Sequence, residues 1–84
     1  MRIRPFISEG DFQTRLRRIH EFLSSGGRVR VVVKFHGREV ARPEFGHAVI
    51  DKITKYINDE SLGKIDKPAK MEGKQLVAAY SPLK

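Results

Sequence analysis

The 84-residue sequence predicts an α/β (α+β) fold, a two-layer βαβαββ sandwich with two helices packed on one face of a mixed four-stranded sheet. Three observations predict it. Two apolar stripes recur at helical spacing. One segment alternates between a wholly apolar face and a mostly cationic one. The C-terminal third reads as two short strands joined at a single glycine.

Residues 2–6, Arg-Ile-Arg-Pro-Phe, form the first expected strand, which Pro5 confines to an edge or a strand end. Ser8, followed three residues later by Asp11, opens a helix by the capping-box pattern. Phe12, Leu16, Ile19, Phe22 and Leu23 then make an apolar stripe, with Arg17, Arg18 and Glu21 facing solvent. Ser24, Ser25, Gly26 and Gly27 stop the helix. Over 28–36, Val29, Val31, Val33 and Phe35 alternate with Arg28, Arg30, Val32, Lys34 and His36. That period of two means a strand with one buried and one wet face, broken at Gly37. Pro43 suits the first turn of a second helix. Phe45, Val49, Ile53 and Tyr56 form its stripe, widened by Ile50 and Ile57, with Asp51, Lys52 and Lys55 outside it. Asn58, Asp59 and Gly63 end it. Strands at 64–72, interrupted by Pro68, and at 74–80 close the chain around a turn at Gly73. Two helices cover one face of such a sheet, so the other face or the loops at its ends stay open for a partner.

The length allows one domain, 1–84, with a compact core. Cysteine is absent, which removes disulfides and thiolate metal sites. No apolar run approaches the roughly 20 residues of a membrane span. Arg2, Arg4 and Pro5 leave no apolar segment for a signal peptide, so a cytoplasmic protein is expected. The stripes suffice for one core, and a monomer is expected. The charge is uneven: residues 1–42 carry ten basic and four acidic side chains, residues 43–84 seven and six. The first half uses arginine throughout, Lys34 excepted. Guanidinium forks bind phosphate oxygens in pairs, so the bias points to nucleic acid.

Catalysis is not expected, because no constellation offers a nucleophile, a base and an orienting group. His20-Glu21 lacks the second histidine of a zinc-protease helix and reads as a helix-surface pair. Gly73-Lys74 is no phosphate-binding loop: Pro68 stands where its first glycine should be and Gln75 where its Ser or Thr should be. No Gly-x-x-Gly clamp and no Gly-x-Ser-x-Gly elbow occurs. Glu9, Asp11, Glu39 and Glu72 lie beside turns or helix starts, where capping accounts for them. Neither a metal, a cofactor nor a small-molecule substrate is expected.

Cations concentrate in four places: Arg2 and Arg4; Arg15, Arg17 and Arg18; Arg28, Arg30, Lys34, His36 and Arg38; and Lys70 and Lys74. Phe12, Phe22, Phe35, Phe45 and Tyr56 fall on expected core faces, while Phe6 and Tyr80 are ambiguous. No exposed aromatic pair is therefore expected, which argues against a stacking platform for single strands and for reading folded RNA by shape and backbone.

The pieces Ile3-Arg4-Pro5, Glu9-Gly10-Asp11-Phe12-Gln13 with Arg15-Leu16-Arg17, Phe22-Leu23, Phe35-His36-Gly37-Arg38-Glu39, Gly46 with Val49, and Glu72-Gly73-Lys74-Gln75 occur in that order along essentially the whole chain. In order and spacing they resemble the C-terminal domain of bacterial translation initiation factor three. The resemblance implies the same βαβαββ fold and a place in a longer, two-domain factor, after an N-terminal domain and a lysine-rich connecting helix. It implies binding to the small ribosomal subunit through ribosomal RNA of the platform, near initiator tRNA. There such a domain blocks joining of the large subunit and helps reject wrong start complexes. The family's RNA-contacting basic positions map onto Arg4, Arg17, Lys52 and Lys74, with Arg15, Lys34, His36 and Arg38 as supporting contacts. The sequence departs from the family at Glu21, where a basic residue is usual, and at Lys52 and Lys74, which replace arginines and lose the bidentate fork. A bacterial source is expected, and an organellar relative fits as well. The rival readings are a protein-binding adaptor in ribosome assembly and a general binder of structured or double-stranded RNA.

Overall fold

A computed structural model describes residues 1–37 and 41–83. The elements run β1 (Arg2–Ile3), α1 (Glu9–Ser24), β2 (Val29–Lys34), α2 (Glu44–Asp59), β3 (Gly63–Glu72) and β4 (Gln75–Pro82), in the expected β-α-β-α-β-β order. The sheet order is β1-β2-β4-β3. β1 runs parallel to β2, and β4 lies antiparallel between β2 and β3. The sheet is therefore mixed, with β1 and β3 at its edges. Pro68 sits on edge strand β3, where a missing N–H breaks no central ladder.

The alternation along β2 sorts the sheet into two faces. Val29, Val31 and Val33 are buried under the helices, and Arg30 and Lys34 are exposed on the other side. β4 follows in register: Leu76, Ala78 and Tyr80 join the core, together with Ile3 of β1. From α1 come Phe12, Leu16, Ile19 and Leu23, and from α2 Val49, Ile50, Ile53 and Ile57. The buried phenol of the core is partnered: Thr54 donates to the Ile50 carbonyl at 2.9 Å, and the Tyr80 oxygen lies 2.7 Å from Thr54 Oγ1.

Two glycines have specific work. A Cβ on Gly46 would stand 2.5 Å from Phe35 Cζ and 3.2 Å from Val33 Cγ1, so α2 approaches β2 closely only because that atom is absent. Gly73 turns the β3–β4 hairpin at φ 65°, a conformation glycine adopts without penalty. α1 begins as its sequence indicates, with Ser8 Oγ accepting the Asp11 N–H at 3.3 Å.

Three expectations need correction. The first strand ends at Ile3 and does not reach Phe6, because Pro5 has no N–H to continue the ladder and the chain turns there. Phe22 is 54% exposed: it lies about 90° around the helix from the centre of the Phe12–Leu16–Ile19–Leu23 stripe. Phe45 is 36% exposed, about 100° from the centre of its own helix's buried set. Apolar character alone widens both stripes beyond the part that meets the sheet.

Candidate RNA-binding surface

The early end of β1 creates the main basic feature. Arg2 pairs with Val32 and Ile3 with Val33. The next register position would set Arg4 opposite Lys34, and the ladder stops there. Like charges directly opposite one another are unfavourable in a sheet, so proline and charge act together to part the strands. The opening is a groove of about 590 Å³ whose basic lining is Arg2, Arg4, Arg15 and Lys34 with His36 beside them, and Phe6 on its wall. Its acid is Asp11, at the N-terminus of α1, where a carboxylate offsets the helix dipole. Arg15 leans in from the flank of α1 and is half-buried, whereas Arg4, Lys34 and His36 are exposed. The two ion pairs among the described residues, Arg42–Glu44 and Lys55–Asp59, involve none of Arg2, Arg4, Arg15 or Lys34.

Four of the eight residues expected to meet RNA, Arg4, Arg15, Lys34 and His36, thus come together in one groove. Lys74 is exposed on the β3–β4 turn, and its carbonyl accepts the Phe35 N–H at 2.9 Å, which sets the turn beside the residue preceding His36. Arg17 and Lys52 lie outside this groove. Both are exposed on the helix layer: Arg17 Nη2 donates to Thr14 Oγ1 at 3.4 Å, and the Lys52 ammonium lies 5.9 Å from the Phe12 ring centroid. Arg38 lies outside the described residues.

A second basic concavity, of about 760 Å³, occupies the open face of the sheet. Its cations are Arg28, Arg30, Lys67 and Lys70, and its apolar lining includes Pro68, Val77 and Ala79. β3 reaches this face by two irregularities. The register shifts between Ile65 and Lys67 and again between Lys67 and Lys70, so Lys67 stands opposite Ala79 and Lys70 opposite Val77. Lysines three residues apart share a face only because the strand is bulged. A period-two reading puts them on opposite faces, which is why the sequence does not single out Lys67.

The helix layer holds a third feature, a seam between α1 and α2. At one end the rings of Phe6 and Phe45 lie 4.8 Å apart, tilted by 47°. Phe12 meets Lys52 further along, and at the other end His20 Nδ1 lies 3.2 Å from the Tyr56 hydroxyl. His20 is half-buried in this contact and so is not the surface residue expected. Phe6 is 61% exposed, so an exposed aromatic pair exists where none was expected. Its only trace in the sequence is a large apolar residue, Phe6, standing outside every stripe.

Among the described residues no group of three or more His, Cys, Asp or Glu side chains could hold a metal ion, and no buried side-chain nitrogen or oxygen lacks a partner. No helix among them is long and apolar enough to cross a membrane.

Residues 1–83 match the family model described as the C-terminal domain of translation initiation factor IF-3. Among similar proteins, translation initiation factor IF-3 of Rickettsia typhi is 46% identical over 82 residues, covering 98% of this chain and 43% of the relative. The factor of the same name from Chlamydia caviae is 34% identical over 82 residues, covering 98% and 43%. That of Aromatoleum aromaticum is 34% identical over 84 residues, covering 100% and 47%. The chain spans less than half the length of these relatives. A match along essentially the whole chain, on the βαβαββ architecture derived above, makes this chain a member of the translation initiation factor IF-3 family, corresponding to its C-terminal domain.

Proposed function

We propose that this domain binds the small ribosomal subunit through ribosomal RNA and, by occupying that surface, keeps the large subunit from joining and supports start-site fidelity. The observation that carries the reading is the groove at the β1 edge, where Arg2, Arg4, Arg15, Lys34 and His36 converge from β1, α1 and the end of β2. Arg4 and Arg15 supply planar forks suited to phosphate oxygens, Lys34 a point charge, and His36 a ring that can donate a hydrogen bond. Lys74 extends the row at the neighbouring turn. Arg17 and Lys52, on the helix layer, contact a second RNA segment, and Arg38 belongs to the same contact set. The domain works by binding and performs no chemistry. It is one domain of a longer, two-domain factor, acts as a monomer in the cytoplasm, and sits near initiator tRNA.

Binding energy then comes mainly from phosphate neutralisation and counterion release. With about four to six phosphates contacted, the log–log slope of affinity against salt is near −3 to −5. The test is light scattering of intact bacterial ribosomes at low magnesium as the domain is added, followed by sedimentation to find which subunit retains it. Falling scattering with the domain on the small subunit supports the proposal. Unchanged scattering with retained binding to a plain RNA duplex makes this a general RNA binder and overturns it.

A further inference from the structure

We propose that Phe6 and Phe45, steadied by Arg42, form a stacking site for one unpaired nucleobase of the bound RNA. The inference deepens the RNA-binding reading above and rests on it. The helix seam contains three aromatic contacts, and they are finished differently. Phe12 is buried, with the Lys52 ammonium 5.9 Å from its centroid. Tyr56 is half-buried and bonded to His20. At the third, Phe6 remains 61% exposed and Phe45 36% exposed, although their rings touch. Exposed aromatic surface in water is unfavourable, and adjacent rings at one spot mark a place where a flat apolar partner gains most.

The surroundings decide what kind of partner. Phe6 is also a wall of the groove formed by Arg2, Arg4, Arg15, Lys34 and His36. Outside the groove lining, the Arg42 guanidinium lies 5.4 Å from the Phe45 centroid. Arg42 Nε is held there by Glu44 Oε1 at 2.9 Å. The Glu44 carboxyl is kept below its usual pKa first by its own backbone N–H and then by Arg42, so the anchor stays charged. Aromatic faces between cations suit a ligand with planar rings strung on a polyanion, which is a nucleic acid strand with a base turned out of its helix. An apolar peptide would leave the neighbouring charges unmatched. A purine's second fused ring reaches beyond a single phenyl face and buries more apolar surface against the pair than a pyrimidine does, so a purine is the preferred occupant.

The test uses this 84-residue chain and an RNA hairpin whose loop carries one unpaired 2-aminopurine, alongside the same hairpin with an abasic site there. The expected result is quenching of the 2-aminopurine fluorescence on binding, and an affinity roughly 5- to 100-fold higher than for the abasic hairpin. In the Phe6→Leu/Phe45→Leu variant, which keeps apolar contact but removes the flat faces, that difference disappears while the salt slope stays. The abasic arm needs no change to the protein, so an unstable variant does not blunt it. Equal affinity for the two hairpins, absence of binding to either, or a variant that keeps the difference overturns the stacking site. Binding of the wild-type chain to small subunits, measured in parallel, separates the two proposals: loss of subunit binding with stacking intact sinks only the ribosomal reading.

Discussion

The groove at the β1 edge and the trough on the open sheet face carry similar charge but are built in different ways. The groove draws its cations from separate elements, β1, α1 and the end of β2, and three of the four Lys and Arg side chains are arginines. The trough draws Arg28 and Arg30 from β2 and its approach, and Lys67 and Lys70 from one bulged edge strand. It also contains Asp66 and Glu72, which offset part of its charge. Basicity alone therefore does not rank two surfaces. Three arginines line the groove and two the trough, and a planar guanidinium fork loses less freedom per hydrogen bond to phosphate than a lysine ammonium does.

Removing the forks should do the most damage. Arg4→Ala/Arg15→Ala is expected to weaken small-subunit binding by about 10²- to 10⁴-fold, since hydrogen bonds to charged groups contribute about 1.5–3 kcal/mol each. The salt slope should become shallower by about 2, one per lost phosphate contact. Arg4 is exposed, Arg15 is half-buried, and neither belongs to the hydrophobic core, so the melting temperature should hold within about 2 °C. A fall of several degrees would make these arginines structural and remove the groove from the interface.

Gly46→Ala tests the frame that sets β2, and with it Lys34 and His36, against the helices. The new methyl must displace Phe35 and Val33. Overpacking of this kind costs about 1–3 kcal/mol, and each kcal/mol lowers the melting temperature of a domain this size by about 4–8 °C. Below the transition the salt slope should not change, because no phosphate contact is lost. An unaltered melting curve would show that α2 has room to move off the sheet.

Lys67→Ala/Lys70→Ala asks whether the trough takes part at all. Two exposed point charges are expected to contribute no more than about tenfold together, and a change in slope smaller than that of the arginine pair. An effect equal to that of Arg4→Ala/Arg15→Ala would invert the ranking and make the open face the principal interface.

The sequence discloses the groove more readily than the trough, for a physical reason. Regular elements have fixed periods, so the alternation from Val29 to Phe35 announces which side of β2 is wet, and Lys34 and His36 follow. Pro5 likewise marks the end of β1 near Arg4. β3 has no fixed period, because its bulges fall at Asp66 and at Pro68–Ala69, and only cross-strand pairing reveals that Lys67 and Lys70 share a face. The helix seam is hidden for another reason. Periodicity separates apolar from polar faces but does not say how much of an apolar face the sheet covers. Phe22 and Phe45 therefore read as core and prove to be exposed. Phe6, in the turn between β1 and α1, meets Phe45 in the first turn of α2, a tertiary contact with no local signature.

A subtler change is expected in the layer beneath the trough, where Tyr80 both lines the concavity and closes the core. Burial raises the pKa of its phenol above the usual value near 10; the Thr54 hydrogen bond opposes the shift and the charge of Asp51 adds to it. The unfolded chain therefore releases this proton first. Below about pH 10 both states hold it and Tyr80's contribution is complete, and as pH rises toward the raised folded value that contribution is lost. Tyr80→Phe should lower stability at pH 7 by about 1 kcal/mol, the net worth of the hydrogen bond to Thr54. It should also flatten the decline between about pH 9 and 11 relative to wild type, as followed by urea denaturation at a series of pH values. RNA affinity at pH 7 should not move, because the hydroxyl faces Thr54 and Ile50. If the affinity falls with stability unchanged, the phenol reaches ligand through the trough, and the open face belongs with the β1 groove as part of the interface.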